Sequence, residues 1–590
     1  MARILAVFLI LAITAKVGLG KEISPLEEAN QLLRYWKSLY PRLPTNLEDA
    51  LARRSWSFSM LTRAQPSECF TEVGQSHLPP PCETGLPKIS ESYLWAMART
   101  GDDLWLGTAS NVLCGGADPE ASEATSESSS RNMGGVCERD ESVYPRPAGA
   151  SGDWRPPRLY LVNTKTRERF DVTPPDPRLA MTTGIRALGT AKGYVVAAGS
   201  RFFEEGHGAL HLFIYEASSR KYLGSCLWPG LVSIREWVEA NGSLYAGVAT
   251  EKGEGEVLRW QANPRDLCAY ETVGRLPQDV GSLGAHEGRL YAGTWPRILS
   301  AAEIQGAGGI TGIFESPPLG ENGLDASAKD LWRPVWLASD YEPDPQIAKT
   351  YAMGPIISWK GCLVWGTMHL PFAGAGPLAM AYGSPSWDSW PALLLGSFRQ
   401  ASLFRKCGKD APQTLYGASA LPAFFPEGDF GHWQILPTGG GEPLFGPPGL
   451  GNFFNLYAWS MAVFSDKLFL GTLDASYNVR VALQSFLTQR LPESLGVLPL
   501  PWAWLRAPVL GPFAATSGYG ADLFVFDDRD KPAKRLDSHG LGNRANMGIR
   551  TMLASEKALY LGTANPFSLL SDPDHPKAMG GWELWEVAPR

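Results

Sequence analysis

The chain has 590 residues with 63 Gly, 47 Pro and 21 Trp, and a formal net charge of −7. An acidic surface repels phosphate backbones, which sets nucleic acid aside as a partner. No apolar run beyond the leader is long enough to cross a bilayer without Pro or charge, which sets a transmembrane span aside.

Ile4 to Ile13 are apolar behind Arg3, and Gly18-Leu19-Gly20 supplies small residues at a cleavage site. This predicts a signal peptide over residues 1–20 and a secreted or periplasmic protein, with an uncleaved anchor as the alternative. The eight Cys are widely spaced, with no CxxC pair, and read as disulfides in an exported chain.

Residues 21–54 are helical in pattern. Ser24-Pro25-Leu26-Glu27 is a capping box with Pro at the first helical position, and it opens an amphipathic run through Trp36. Thr45-Asn46-Leu47-Glu48 is a second such box, opening a short helix. This segment is expected to be a lid over the remaining chain or a partner-binding helix. Ser55 to Leu61 alternates as an edge strand does, and Cys69 and Cys82 stand near enough to close a local loop.

From residue 91 a strand pattern repeats. Leu104-Trp105-Leu106-Gly107-Thr108 returns as Leu244-Tyr245-Ala246-Gly247-Val248, Leu290-Tyr291-Ala292-Gly293-Thr294, Leu363-Val364-Trp365-Gly366-Thr367, Leu468-Phe469-Leu470-Gly471-Thr472 and Leu559-Tyr560-Leu561-Gly562-Thr563. A degenerate copy ends at Gly199-Ser200. The shortest glycine spacings, 48 and 46 residues, match one four-stranded blade. The expected fold is therefore all-β: a single seven-bladed β-propeller over residues 55–590. Loop insertions lie on one face, and a short helical segment precedes the ring. The last unit lacks a fourth strand, so a segment within 55–75 is expected to close the ring.

Within the third unit the expected strands are 233–240, 244–250, 256–260 and 267–272. Insertions follow the Gly-Thr strands at 109–157, 368–390, 473–520 and 564–580, and a long connection occupies 417–452. Up-and-down connectivity puts these on one face, the candidate functional face. Residues 115–135 are Ser- and Glu-rich, pinned by an expected Cys114–Cys137 bridge. Residues 495–513 are apolar with Trp502 and Trp504, and would suit a packed lid or a peripheral membrane contact. Cys362 and Cys407 fall at meeting ends of antiparallel neighbours, a sensible bridge. Cys226 and Cys268 fall in outer strands of adjacent units, which fan apart, so that pair is not expected to bond.

Candidate ligand-binding residues come from recurrences. Ile185-Arg186, Ile234-Arg235 and Ile549-Arg550 each open a first strand. Three guanidinium groups near one axis would attract a carboxylate, sulfate or phosphate, or else form inter-blade ion pairs. Gly449-Leu450-Gly451-Asn452-Phe453-Phe454-Asn455 and Gly540-Leu541-Gly542-Asn543-Arg544-Ala545-Asn546 repeat one motif. It is a turn, or it offers Asn455 and Asn546 to a polar ligand. After the Gly-Thr strands stand Asn111, Arg201, Trp295, His369, Asp474 and Asn565, expected at the channel mouth. His369 is the one imidazole among them, and His207 follows Glu204-Glu205-Gly206 nearby. No spacing motif supports a metal there. A structural calcium ion is compatible with such a fold, but no motif assigns one, so cofactors stay open.

The Gly-Asn-x-x-Asn connection, the Leu-Tyr-x-Gly-Thr strand and Trp582-Glu583-Leu584-Trp585 together resemble secreted bacterial β-propellers with degenerate repeats. The resemblance covers about residues 90–590 and implies fold and compartment, with no catalytic residues. No G-x-S-x-G, Walker A, H-E-x-x-H or EF-hand motif occurs. Two functions follow as expectations: an exported propeller binding a small-molecule or protein ligand on its loop face, or a hydrolase or lyase acting on a small or saccharide substrate at the channel mouth.

Overall fold

The computed structural model describes residues 24–40, 47–71, 78–112, 155–201, 207–296, 311–370, 373–383, 386, 388–427, 431–480, 518–567, 571–572 and 575–590. Cys114, Cys137 and the apolar stretch 495–513 lie outside the described residues.

The architecture is mostly antiparallel β. Pairings among the described residues gather strands into consecutive four-stranded groups. Their first strands are Glu91–Thr100, Ala187–Ala191, Leu231–Ala240, Asp279–His286, Ala352–Trp359, Asn455–Phe464 and Gly548–Ala554. Each first strand lies against the next, and the last lies against the first. In the last group the outermost strand is Trp56–Arg63, antiparallel to Glu583–Pro589 with Phe58 opposite Val587.

The recurrent Gly-Thr has two physical causes. A Cβ on Gly107 would stand 2.4 Å from Ile185, on Gly366 2.3 Å from Ala458, on Gly471 2.6 Å from Ile549, and on Gly562 2.6 Å from Leu94. Each glycine is therefore where one group presses on the next, and a methyl there would force the sheets apart. The threonine closes its own group. Thr108, Thr294, Thr367, Thr472 and Thr563 each accept at Oγ1 a backbone N–H, from Arg158, Gly312, Ser402, Asp522 and Glu583 respectively, at 2.8–3.0 Å. Serine would keep this bond, whereas valine would leave a buried donor without an acceptor.

The apolar core is divided among the seams between groups. Trp105, Leu161 and Phe213 fill the first seam, Ile234, Trp228 and Trp260 the second, and Phe469, Leu523 and Ile549 the sixth. Each fully buried side chain of this kind contributes roughly 1.5–3 kcal/mol, so cohesion is spread over nearest-neighbour contacts.

The helix Pro25–Leu39 is capped by Ser24, whose Oγ accepts Glu27 N–H at 3.3 Å. It buries Ala29, Leu32 and Trp36, and Trp36 Nε1 donates to Leu395 O at 2.8 Å. Its partner is the helix Trp390–Ser397, inserted after the fifth group's second strand. A buried bidentate pair, Arg399 to Glu342 at 2.6 and 2.8 Å, ties that insertion to the preceding connection. Within 417–452 the chain forms a hairpin, Ala420–Phe425 with His432–Pro437.

Disulfides join Cys69–Cys82, Cys362–Cys407 and Cys226–Cys268. The last corrects the expectation that fanning outer strands would keep Cys226 and Cys268 apart. The outer strand of the third group runs Tyr270–Leu276, not 267–272. Cys268 is therefore on the loop before it, free to cross the seam, and its carbonyl also accepts Trp228 Nε1–H at 2.8 Å. No helix among the described residues is long and apolar enough to cross a membrane.

Candidate functional site

The first strands carry a shared irregularity. Opposite the repeat glycine and the residue after it (Thr in four groups, Val248 in the third), one extra residue interrupts the ladder: Trp95, Arg235, Gly281, Trp459 and Arg550 in five of the groups. A bulge re-aims the extra side chain. All five residues, with Arg186, line one cavity of about 560 Å³.

The three arginines lie on tryptophans. The guanidinium carbon of Arg235 is 3.4 Å from the Trp295 ring centre, that of Arg186 is 4.9 Å from Trp95, and that of Arg550 is 5.7 Å from Trp459. Glycines make room for these rings. A Cβ would come within 2.4 Å of Trp95 at Gly184, 1.8 Å of Trp295 at Gly281, and 2.0 Å of Trp459 at Gly548. Gly184-Ile185-Arg186 and Gly548-Ile549-Arg550 are thus one module used twice. The glycine seats the neighbouring group's Trp, the Ile meets its repeat glycine, and the Arg reaches the ring.

Among the described residues none of the three arginines is within ion-pair distance of a carboxylate. All three are half-buried and line the cavity. Burial, then the charges of Arg235 and Arg550, holds Arg186 well below the usual range. Burial lowers Arg235 to about 9 against the pull of Asp279, and Arg550 to about 10 against the pull of Glu236. Glu236 is the sole acidic residue on the described wall. Burial raises it to about 7, although its carboxylate accepts Leu283 N–H at 3.0 Å. Among the described residues the buried polar atoms Arg186 Nε, Trp237 Nε1, Ser282 Oγ and Thr551 Oγ1 find no hydrogen-bond partner, and all four residues are on this wall. Val112, Leu370 and Asn478 line the same cavity just beyond the ends of second strands, where three insertions begin.

The other sequence candidates are placed elsewhere. His369, Asp474 and Asn565 stitch adjacent groups through backbone N–H bonds to Leu456 O, Met547 O and Ser92 O at 2.8–3.0 Å. Asn111 N–H reaches Ser90 O at 2.9 Å. None of these four side chains is on the cavity wall, because a chain leaving the second strand turns into the seam. The His369 ring packs on Tyr351 at 4.4 Å and bonds Thr367 Oγ1 at 2.9 Å, and burial holds it down to about 3.

Asn455 and Asn546 brace the turns before their strands. Each donates to a glycine carbonyl, Gly449 O or Gly540 O, at 2.9 Å, and to a carboxylate, Asp522 at 2.7 Å or Glu583 at 2.8 Å. Asp474 accepts Asn452 Nδ2–H at 2.6 Å, and burial with the neighbouring Asp522 raises it to about 7. His207 is exposed, 3.8 Å from Glu251, while Glu204 to Gly206 lie outside the described residues. Among the described residues no three His, Cys, Asp or Glu converge as a metal site.

Sequence reasoning reached the arginines and Trp295 but missed Trp95, Trp459, Gly281 and Glu236. Glycine two residues before two of the arginines was a signal it could have used.

No family model matches the chain. No curated protein matches it either. Among solved structures it is similar to an exo-beta-1,3-galactanase from Phanerochaete chrysosporium, at 10% identity and TM-score 0.28, over 60% of this chain and 67% of that one. It is also similar to an acylaminoacyl peptidase from Pyrococcus horikoshii, at 7% identity and TM-score 0.31, over 80% of this chain and 57% of that one. Likeness at this level carries no argument about this chain's fold or chemistry.

Proposed function

We propose that this is an exported seven-bladed β-propeller that binds a small anionic ligand in its central cavity, entered from the face bearing the insertions. The leader sequence and the disulfides support export. The cyclic order of first strands and the pairing of Trp56–Arg63 with the C-terminal strand support a closed ring. One observation carries the ligand reading: Arg186, Arg235 and Arg550 share one cavity and repel one another. Like charges gathered in one cavity disfavour one another, and an anion between them would offset that cost through charge-assisted bonds.

Glu236 favours a second reading. A carboxyl group held near neutrality can give or take a proton, so the same cavity would suit a hydrolase or lyase acting on an anionic substrate. The test is a thermal-unfolding screen of the chain from residue 21 against sulfate, phosphate, citrate and simple carboxylates, with and without chelator. A ligand of the folded state raises the Tm. Binding without turnover supports the first reading, turnover lost in Glu236→Gln supports the second, and no shift with any anion rejects both.

A further inference from the structure

We propose that the ligand is an amphipathic organic anion, its acid group held among Arg186, Arg235 and Arg550 and its apolar body lying against a methionine-rich wall. The inference rests on the anion-binding reading and deepens it.

The argument begins with strand periodicity. Two residues beyond the Arg and Trp tier, four of the first strands present an apolar side chain to the same cavity. Met97 follows Trp95, Leu188 follows Arg186, Met461 follows Trp459 and Met552 follows Arg550. Toward the opposite end stand Met368 and Met547. Five of the chain's 12 methionines therefore line one cavity. Methionine is unbranched and polarisable, and fits irregular or flexible apolar shapes. A wall meant only to hold sulfate or phosphate would have no use for two apolar tiers flanking the charges.

The polar inventory argues against a sugar acid. Each buried hydroxyl of a saccharide needs a partner, or its desolvation is uncompensated. Apart from the charged groups, the wall offers the hydroxyls of Tyr93, Tyr457, Ser282 and Thr551, the Asn478 amide and the Trp237 N–H, with Ser460 already donating to Ile549 O. The tier of Met97, Leu188, Met461 and Met552 offers a sugar ring's hydroxyls no partner beyond a weak thioether. The volume of about 560 Å³ lies within the range of roughly 300–1,000 Å³ usual for small-molecule sites.

Charge sets the sign. Three guanidinium groups and one carboxyl group, that of Glu236, stand on the described wall, so the surplus is positive and the ligand an anion.

The experiment is titration calorimetry on the chain from residue 21. The probes are sulfate, glucuronate, and straight-chain carboxylates of four, eight and twelve carbons kept below micelle-forming concentrations. Affinity is expected to rise by about fourfold for each methylene that reaches the methionines, so at least about tenfold from four to eight carbons. Arg186→Met should abolish binding while the variant stays folded by thermal unfolding. Equal affinity for sulfate, glucuronate and the long chain would overturn this inference and leave anion binding standing. A long chain that binds Arg186→Met unchanged would overturn both, because the acid group would then contribute nothing. No binding by any probe would also overturn both.

Discussion

The Arg235 guanidinium carbon lies 3.4 Å from the centre of the Trp295 ring, whose Nε1–H is donated to Met353 O at 2.7 Å. Trp295 ends the second strand of the fourth group, while Arg235 is the bulge residue of the third. The ring occupies the space that a side chain on Gly281 would need. Gly281→Ala should therefore drive Trp295 off its seat and break the stack. Overpacking of this kind costs about 1–3 kcal/mol, and anion affinity should fall about tenfold with it, since a cation–π contact in a desolvated site is worth ~1–2 kcal/mol. Thermal unfolding and calorimetry on the variant check both effects. Unchanged affinity would remove Trp295 from the site.

Removing a charge should have the opposite effect on stability. Arg186 is held below its usual range by burial and by two other arginines. Arg186→Met fills similar volume without charge and should stabilise the empty protein by on the order of 1–3 kcal/mol, while anion binding is lost. Stability gained where function is lost is the mark of a strained binding site. A destabilised Arg186→Met would mean that the charge is balanced in the free protein. Chemical denaturation read by Trp fluorescence decides.

Much of this was legible in the chain, and the limit has a physical cause. Gly-Thr and Ile-Arg recur because each is fixed by a short-range constraint: a Cβ clash, a hydroxyl that caps the next strand, a residue beside a bulge. Trp95 and Trp459 were not legible as site residues. A bulge is a register shift between strands, and the alternation of one strand does not reveal it. The positions of His369 and Asp474 suggested a channel mouth. They face the seam because the backbone leaving the second strand is tied to the neighbouring group by its N–H. Cys226–Cys268 was misjudged because Cys268 was placed in a strand that begins two residues later.

Glu236 makes stability depend on pH in a definite direction. Its folded value is about 7, against roughly 4.3 in an unfolded chain. Between these values the folded state binds more protons, so its stability falls as pH rises, and the loss is complete above about 7. Glu236→Gln should match the parent near pH 4 and exceed it in Tm at about pH 8. Asp474, also raised to about 7, adds a parallel slope that the Glu236 variant keeps. If the difference between parent and variant does not grow with pH, Glu236 is ionised throughout and its role as a proton carrier fails.

The Cys226–Cys268 bridge spans the seam between the second and third groups, and its half-cystines are 42 residues apart in sequence. Closing a loop of that length restricts the unfolded chain by about 2–4 kcal/mol. Replacing both cysteines with Ala should lower stability by that amount. The effect should centre on the seam packed by Trp228, Trp237 and Trp260. Arg235 lies on the strand that forms one side of this seam. A loosened seam should therefore raise hydrogen exchange along Leu231–Ala240 before it does so along Gly548–Ala554, which carries Arg550. Uniform exchange across both strands would show that the ring loosens as one cooperative unit, and that the bridge stabilises the whole rather than the seam it crosses.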